Sequence, residues 1–176
     1  MALDAATVRF LELMADGAGK PLHESTPSEA REFGKKLSSF AGPAPDMHNI
    51  REQTIDSHNG TITLRILSPI EHPRGILIYY HGGGWVIGSI DEYDTLARKL
   101  AERTSCSVVL VEYRLAPEHR YPTAVDDSYA ALQWVGSHVS DIAREEVPLI
   151  LAGDSAGGNL AAVMATRARD RNGPSV

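Results

Sequence analysis

The chain has one cysteine, Cys106, in 176 residues, so no disulfide can close within it. The thiol lies in the apolar run Cys106-Ser107-Val108-Val109-Leu110 with nothing nearby to favour a thiolate, which makes it a buried structural side chain. Long hydrophobic runs are missing as well. No stretch approaches the ~20 apolar residues of a membrane-spanning helix. The N-terminus has Asp4 and Glu12 among its apolar residues and no basic start, unlike a signal peptide. A cytoplasmic protein without a membrane span is expected. Positive charge is sparse. The net charge is −6, and Lys and Arg gather only at Arg167, Arg169 and Arg171, a spacing that suits the last turns of a helix. A nucleic-acid partner would need a basic face, so none is expected. The seven histidines show no metal-ligand spacing, which excludes a predicted metal site. Internal repeats and low-complexity tracts are absent too.

What remains is an ordinary globular composition, 43% hydrophobic and 23% charged. A chain of this size buries roughly 70% of its unfolded surface in one core. Two helical signals come first. One runs from an Asp4 cap through Val8, Leu11 and Met14. The other opens at Thr26-Pro27-Ser28-Glu29, a capping box with proline at the first helical position. Residues 41–46, AGPAPD, then read as a linker, and two strands are expected near 50–57 and 61–68 around Asn59-Gly60, a hairpin signal.

From Gly75 onward the pattern changes. The runs 75–80, 107–111 and 147–152 are apolar with almost no alternation, as in parallel strands covered on both faces. Between them lie helical segments. One is 91–104, with a stripe of Tyr93, Leu96, Ala97 and Leu100; the other is 123–138, with Val125, Tyr129, Leu132 and Val135. Strand, helix, strand, helix, strand spells a parallel sheet with right-handed crossovers, here entered through an antiparallel hairpin.

Two motifs carry chemistry. Gly153-Asp154-Ser155-Ala156-Gly157 matches G-x-S-x-G, directly after the strand ending at 152 and before a helix expected from Asn159 to about Ala168. This setting is a nucleophile elbow, where a strained turn lifts a serine hydroxyl above the sheet. A phosphate-binding turn would instead carry a Lys-Ser/Thr pair after the glycines, and none follows. His81-Gly82-Gly83-Gly84-Trp85 ends the strand 75–80, and consecutive glycines there let backbone N–H groups face an oxyanion. His81 reads as a residue that shapes this loop, and Asp154 as an anchor of the elbow. Arg114 and Glu118 read as a local pair, and Asp126 and Asp127 as carboxylates at a helix N-terminus. Trp85 and Val86 are candidates for either pocket or core.

On these motifs, together with Tyr113-Arg114-Leu115-Ala116-Pro117-Glu118, Pro122 to Asp127 and the continuation Gly158-Asn159-Leu160, the sequence resembles the hormone-sensitive-lipase-like (bacterial family IV) carboxylesterases. The resemblance implies an α/β-hydrolase fold, mostly parallel with an antiparallel N-terminal hairpin. It implies N-terminal cap helices over the acyl pocket in 1–45, and the first part of the catalytic domain in 46–176. It further implies a serine esterase for short- to medium-chain acyl esters, with Ser155 as nucleophile. Gly83, Gly84 and Ala156 would supply the oxyanion-hole amides, with no cofactor and a small ester as the substrate partner.

A serine nucleophile needs a histidine base and a carboxylate, which in this fold follow it in the chain. The 21 residues after Ser155 hold no histidine and one acid, Asp170. The triad is therefore expected to be completed by a C-terminal half, as a second chain or from another copy; rescue by His119 or His138 is a minor alternative. Without further strands, 147–152 would be an exposed sheet edge. Three other readings stay open: a small-molecule-binding relative on the same fold, amide or peptide hydrolysis at the same site, and an inert fragment.

Overall fold

The computed structural model describes residues 2–17 and 20–176. Helix α1 (Ala5–Gly17) is capped by Asp4, whose Oδ1 accepts from the N–H groups of Ala6 and Thr7 at 3.0 Å. Its expected stripe does not face a core. Val8 and Leu11 are exposed, and the Met14 side chain lies outside the described residues. Helix α2 (Pro27–Ser38) begins at the predicted capping box: Thr26 Oγ1 accepts from Glu29 N, and Glu29 Oε2 accepts from Thr26 N at 2.8 Å. The 41–46 segment is pinned rather than free. The Lys99 ammonium donates to the Ala41 carbonyl at 2.7 Å, and Arg98 donates to that of Pro45 at 3.3 Å.

The hairpin is β1 (Asn49–Ser57) and β2 (Gly60–Ser68), paired in register from Asn49–Ser68 to Ser57–Gly60, with Asn59 at φ +58° in the turn. The remaining elements are β3 (Ile76–Tyr80), α3 (Ile90–Thr104), β4 (Ser107–Glu112), α4 (Thr123–Ser137), α5 (Val139–Ala143), β5 (Leu149–Gly153) and α6 (Ala156–Asp170). The short α5 has no counterpart in the sequence reading. The sheet order is β1-β2-β4-β3-β5; β4 pairs antiparallel to β2 and parallel to β3, and β3 is parallel to β5. This is the expected mixed sheet of an α/β-hydrolase fold, with its antiparallel hairpin at one edge.

Both faces of the sheet are covered, as the unalternating strands require. Ile76, Ile78 and Tyr80 pack with Leu132, Val135, Leu160 and Met164 of α4 and α6. Leu77, Tyr79, Val108 and Leu110 pack with Ile90, Ala97 and Ala101 of α3. Leu96, assigned to the α3 stripe, is exposed. The buried face of that helix is built on alanines, which let it lie close to the sheet. Helix α6 starts at Ala156, not at Asn159, because Gly157 is a helical residue: a Cβ there would collide with the Tyr80 carbonyl. The glycine allows α6 to cross β3 in contact and leaves Ser155 alone at the junction.

Candidate active site

Asp154 and Ser155 make up the whole connection between β5 and α6. Ser155 has φ +49° and ψ −117°, a conformation that residues with a side chain rarely adopt and that costs of order 1–3 kcal/mol where it persists. The turn is held by Gly157 N donating to Asp154 O at 2.7 Å and Asn159 N to Ser155 O at 3.1 Å. Ser155 is exposed, and among the described residues its hydroxyl has no hydrogen-bond partner.

The glycine loop follows β3. Val86 N and Ile87 N both donate to Gly83 O, at 3.1 and 3.0 Å. Gly83 sits at φ +115°, where a Cβ would strike the Ile87 backbone. Among the described residues the N–H groups of Gly83, Gly84 and Ala156 make no hydrogen bond. They remain available as donors.

One carboxylate ties this loop to the elbow. Asp154 Oδ1 accepts from Gly82 N at 2.9 Å and from the Tyr79 hydroxyl at 3.1 Å, while Oδ2 accepts from the Tyr93 hydroxyl at 3.0 Å. Burial, followed by the Asp154 charge, pushes the Tyr93 phenol up to about 12 and raises that of Tyr79 as well. Both phenols stay protonated and donate. His81 is fully buried and stacks on Tyr113 with ring centroids 4.2 Å apart. Its Nδ1 lies 2.8 Å from Gly82 O, and the Tyr113 hydroxyl donates to His81 O at 2.7 Å. A carbonyl can only accept, so the His81 proton sits on Nδ1. Burial lowers the His81 pKa and keeps the ring neutral, with Nε2 buried and unpartnered among the described residues.

A cavity of about 520 Å³ opens between the loop and the elbow helix, lined by Gly84, Trp85, Ala116, Tyr121, Asn159 and Val163 among others. Asn159 and Val163 lie one and two helical turns after Ser155, on the same face of α6. Trp85 lines this cavity and is 40% exposed, so it does not belong to the core. His119 lines the same cavity. His138 stacks on Trp134 at the C-terminal end of α4, roughly 20 Å along that helix from the cavity-lining Ala124.

Two expected pairings are corrected. Arg114 and Glu118 do not pair with each other. Arg114 binds Asp127 of α4, with Nη2 at 2.7 Å from Oδ1, and Glu118 binds Arg31 of α2 at 2.7 Å. Asp126 pairs with Arg167 of α6, and Asp127 is fully buried, so both carboxylates serve tertiary contacts rather than only the α4 dipole. Arg31, Tyr79, Tyr93 and Tyr113 all bond to the glycine loop, its flanking His81 or the elbow, and of them only Tyr113 lies in one of the motifs. The tyrosines look like core residues in sequence, and Arg31 lies 55 residues from the loop carbonyl it binds. No group of residues suited to a metal ion occurs among the described residues, and no described helix is long and apolar enough to cross a membrane.

A family model described as alpha/beta hydrolase fold matches residues 77–176. The chain is similar to carboxylesterase NlhH of Mycobacterium tuberculosis, 45% identical over 128 residues that cover 71% of this chain and 40% of that protein. It is also similar to ethyl acetate hydrolase of Pseudomonas putida, at 34% identity over 95% of this chain and 56% of the relative. Among solved structures, a hyperthermophilic esterase from the archaeon Pyrobaculum calidifontis superposes with a TM-score of 0.90 at 36% identity, over 100% of this chain and 57% of that one. The chain therefore spans about half the length of the relatives it matches. With the elbow, the glycine loop and the sheet order in agreement, the chain belongs to the α/β-hydrolase family, in its hormone-sensitive-lipase-like branch of carboxylesterase relatives.

Proposed function

We propose that this chain carries the nucleophile and oxyanion hole of a serine carboxylesterase acting on short- to medium-chain acyl esters. The observation that carries this reading is the strained, exposed Ser155 on the elbow, together with the N–H groups of Gly83, Gly84 and Ala156, which make no hydrogen bond among the described residues. In the proposed reaction Ser155 Oγ attacks the ester carbonyl carbon and gives its proton to a histidine. The carbonyl oxygen becomes an oxyanion received by the N–H groups of Gly83, Gly84 and Ala156. Collapse of this intermediate breaks the bond to the alcohol, which leaves with the proton. Water then attacks the acyl-enzyme by the same route and frees the acid and Ser155.

The catalytic histidine and its acid are assigned to sequence outside these 176 residues, as a second chain or another copy if not in continuity. This is supported by the order Ser, acid, His of the fold and by the greater length of the relatives. Residues 1–45 act as a cap and 46–176 as the first part of the catalytic domain. Arg31 spans the two, bonding Val86 and Glu118. His81 and Asp154 support the loop without touching substrate. The cavity beside Asn159 and Val163 suits an acyl chain, being walled mainly by apolar side chains.

The test is hydrolysis of p-nitrophenyl butyrate by the active protein beside Ser155→Ala. The variant is expected to lose about 10⁴-fold or more in kcat. Equal turnover by both proteins would remove Ser155 from the mechanism. Saturable ester binding with no turnover by the full protein would favour a binding relative instead.

A further inference from the structure

The glycine loop closes on a strained residue. Trp85 has φ +60°, in the left-handed region that a side chain disfavours, and such backbone persists only where its surroundings over-determine it. Three hydrogen bonds do so. Val86 N donates to Gly83 O at 3.1 Å, Trp85 O accepts from Ala116 N at 2.8 Å, and Val86 O accepts from Arg31 Nε at 2.8 Å. The first two come from the loop itself and the adjoining 113–118 turn. The third comes from α2, in the N-terminal helices.

The same guanidinium does more. Nη2 donates to Ala116 O at 2.9 Å, and the fork closes on Glu118, with Nη1 at 2.9 Å and Nη2 at 2.7 Å from its two oxygens. One planar group thus grips both the far end of the glycine loop and the turn to which that loop is bonded. A lysine ammonium is a single point of charge and cannot reproduce this fork. Gly84, Trp85 and Ala116 line the cavity between the glycine loop and α6, whereas Arg31 does not.

We propose that Arg31 is a positioning residue for the reaction at Ser155, fixing the Trp85–Val86 segment and, through it, the N–H groups of Gly83 and Gly84. It touches neither substrate nor reacting atoms, and the proposal rests on the esterase reading above. Without Arg31, Val86 O loses its donor and Trp85 is free to relax toward an ordinary φ, which carries the adjacent Gly84 amide off its aim. Those amides meet charge that develops only in the transition state, so the loss falls on kcat rather than KM. The competing role is a simple fastening of α2 to the body through the Arg31–Glu118 ion pair.

The experiment compares Arg31→Ala, Arg31→Lys and Glu118→Gln in the full-length protein, with p-nitrophenyl butyrate as substrate. The chain has two tryptophans, so a Trp134→Phe background lets acrylamide quenching report Trp85 alone. Both Arg31 variants are expected to lose about 10- to 100-fold in kcat with KM little changed, and to show stronger Trp85 quenching. Glu118→Gln keeps an acceptor for the guanidinium and is expected to stay within about twofold. Retained kcat in Arg31→Ala, unchanged Trp85 quenching, or a loss in Glu118→Gln equal to that in Arg31→Ala overturns the proposal. Should Arg31→Ala fail to fold, Arg31→Lys keeps the charge and the aliphatic stem and decides alone. A wild type that hydrolyses no ester refutes the esterase reading separately, and the quenching comparison, which needs no turnover, still decides whether Arg31 holds the loop.

Discussion

Asp154 accepts hydrogen bonds from β3, from the glycine loop and from α3, through Tyr79, Gly82 and Tyr93. Its neighbour in the chain is the proposed nucleophile, so one side chain sets the elbow and the glycine loop in a common frame. Asp154→Ala strips the Tyr79 and Tyr93 hydroxyls of their acceptor and leaves Gly82 N only the Tyr93 hydroxyl, at 3.2 Å. A buried donor left unsatisfied costs ~1–3 kcal/mol, and water entering this part-buried cluster recovers some of it. A net loss of about 2–4 kcal/mol is expected, seen as a lower urea midpoint at unchanged m-value. A midpoint within error of wild type would show that the cluster adds nothing. The place of Asp154 beside Ser155 could be read from sequence. Its partners could not. A tyrosine in an apolar strand and another on a helical stripe are indistinguishable from core until the fold brings their hydroxyls to one carboxylate. The Arg114–Glu118 pairing failed for the same reason: proximity in sequence favoured a local pair, while both side chains had better partners across the fold.

The hairpin, the turn after β4 and helix α4 are joined at Asp127. This carboxylate is fully buried and accepts from the Ser57 hydroxyl, from Arg114 N and Nε at 2.9 Å, and from Arg114 Nη2 at 2.7 Å. Arg114 continues to the carbonyls of His58 and Asn59 in the hairpin turn, at 2.7 and 3.1 Å. Removing one partner of a buried pair strands the other charge and costs ~3–5 kcal/mol. Asp127→Ala is expected to fall in that range by chemical denaturation. Asp126→Ala, which breaks the more exposed pair with Arg167, is expected to cost no more than about 1 kcal/mol. Equal costs at the two neighbouring positions would refute the assignment. Hydrophobic period and turn residues were enough to place the hairpin strands within a residue of their observed ends and to find α2, α3 and α4. They did not show α5, too short to carry a period, nor the breadth of the buried face of α3. Leu96 joins that stripe by spacing, yet Ala97 and Ala101 make the contact.

Sheet order is set by the whole chain, and no local pattern shows that β4 inserts between β2 and β3. The same holds for the pH response, which sums groups scattered over the fold. His81 is neutral when folded because burial lowers its pKa below the ordinary 6.5. As pH falls through 6.5 the unfolded chain gains a proton that the folded one refuses, so stability is lost from there down to the folded value. Glu112 runs the other way. Burial raises its pKa above 4.5, so the folded state holds the proton longer than the unfolded chain, and stability present below 4.5 is lost as pH rises through the folded value. Glu118, held down to about 2 by Arg31, acts only in stronger acid, where stability present above 4.5 is lost as pH falls toward that value. Between pH 4.5 and pH 6.5 the slope of stability against pH therefore sets His81 against Glu112 and against Glu92, whose pKa burial raises as well. Glu112→Gln keeps an acceptor for the Ile90 N–H that Glu112 binds at 2.6 Å while removing the charge. It is expected to make the slope more positive, and His81→Asn to make it less so, whatever either does to stability at one pH. Urea unfolding across that window measures both slopes. Two variants running parallel to wild type would mean that neither buried group governs the acid response of the fold.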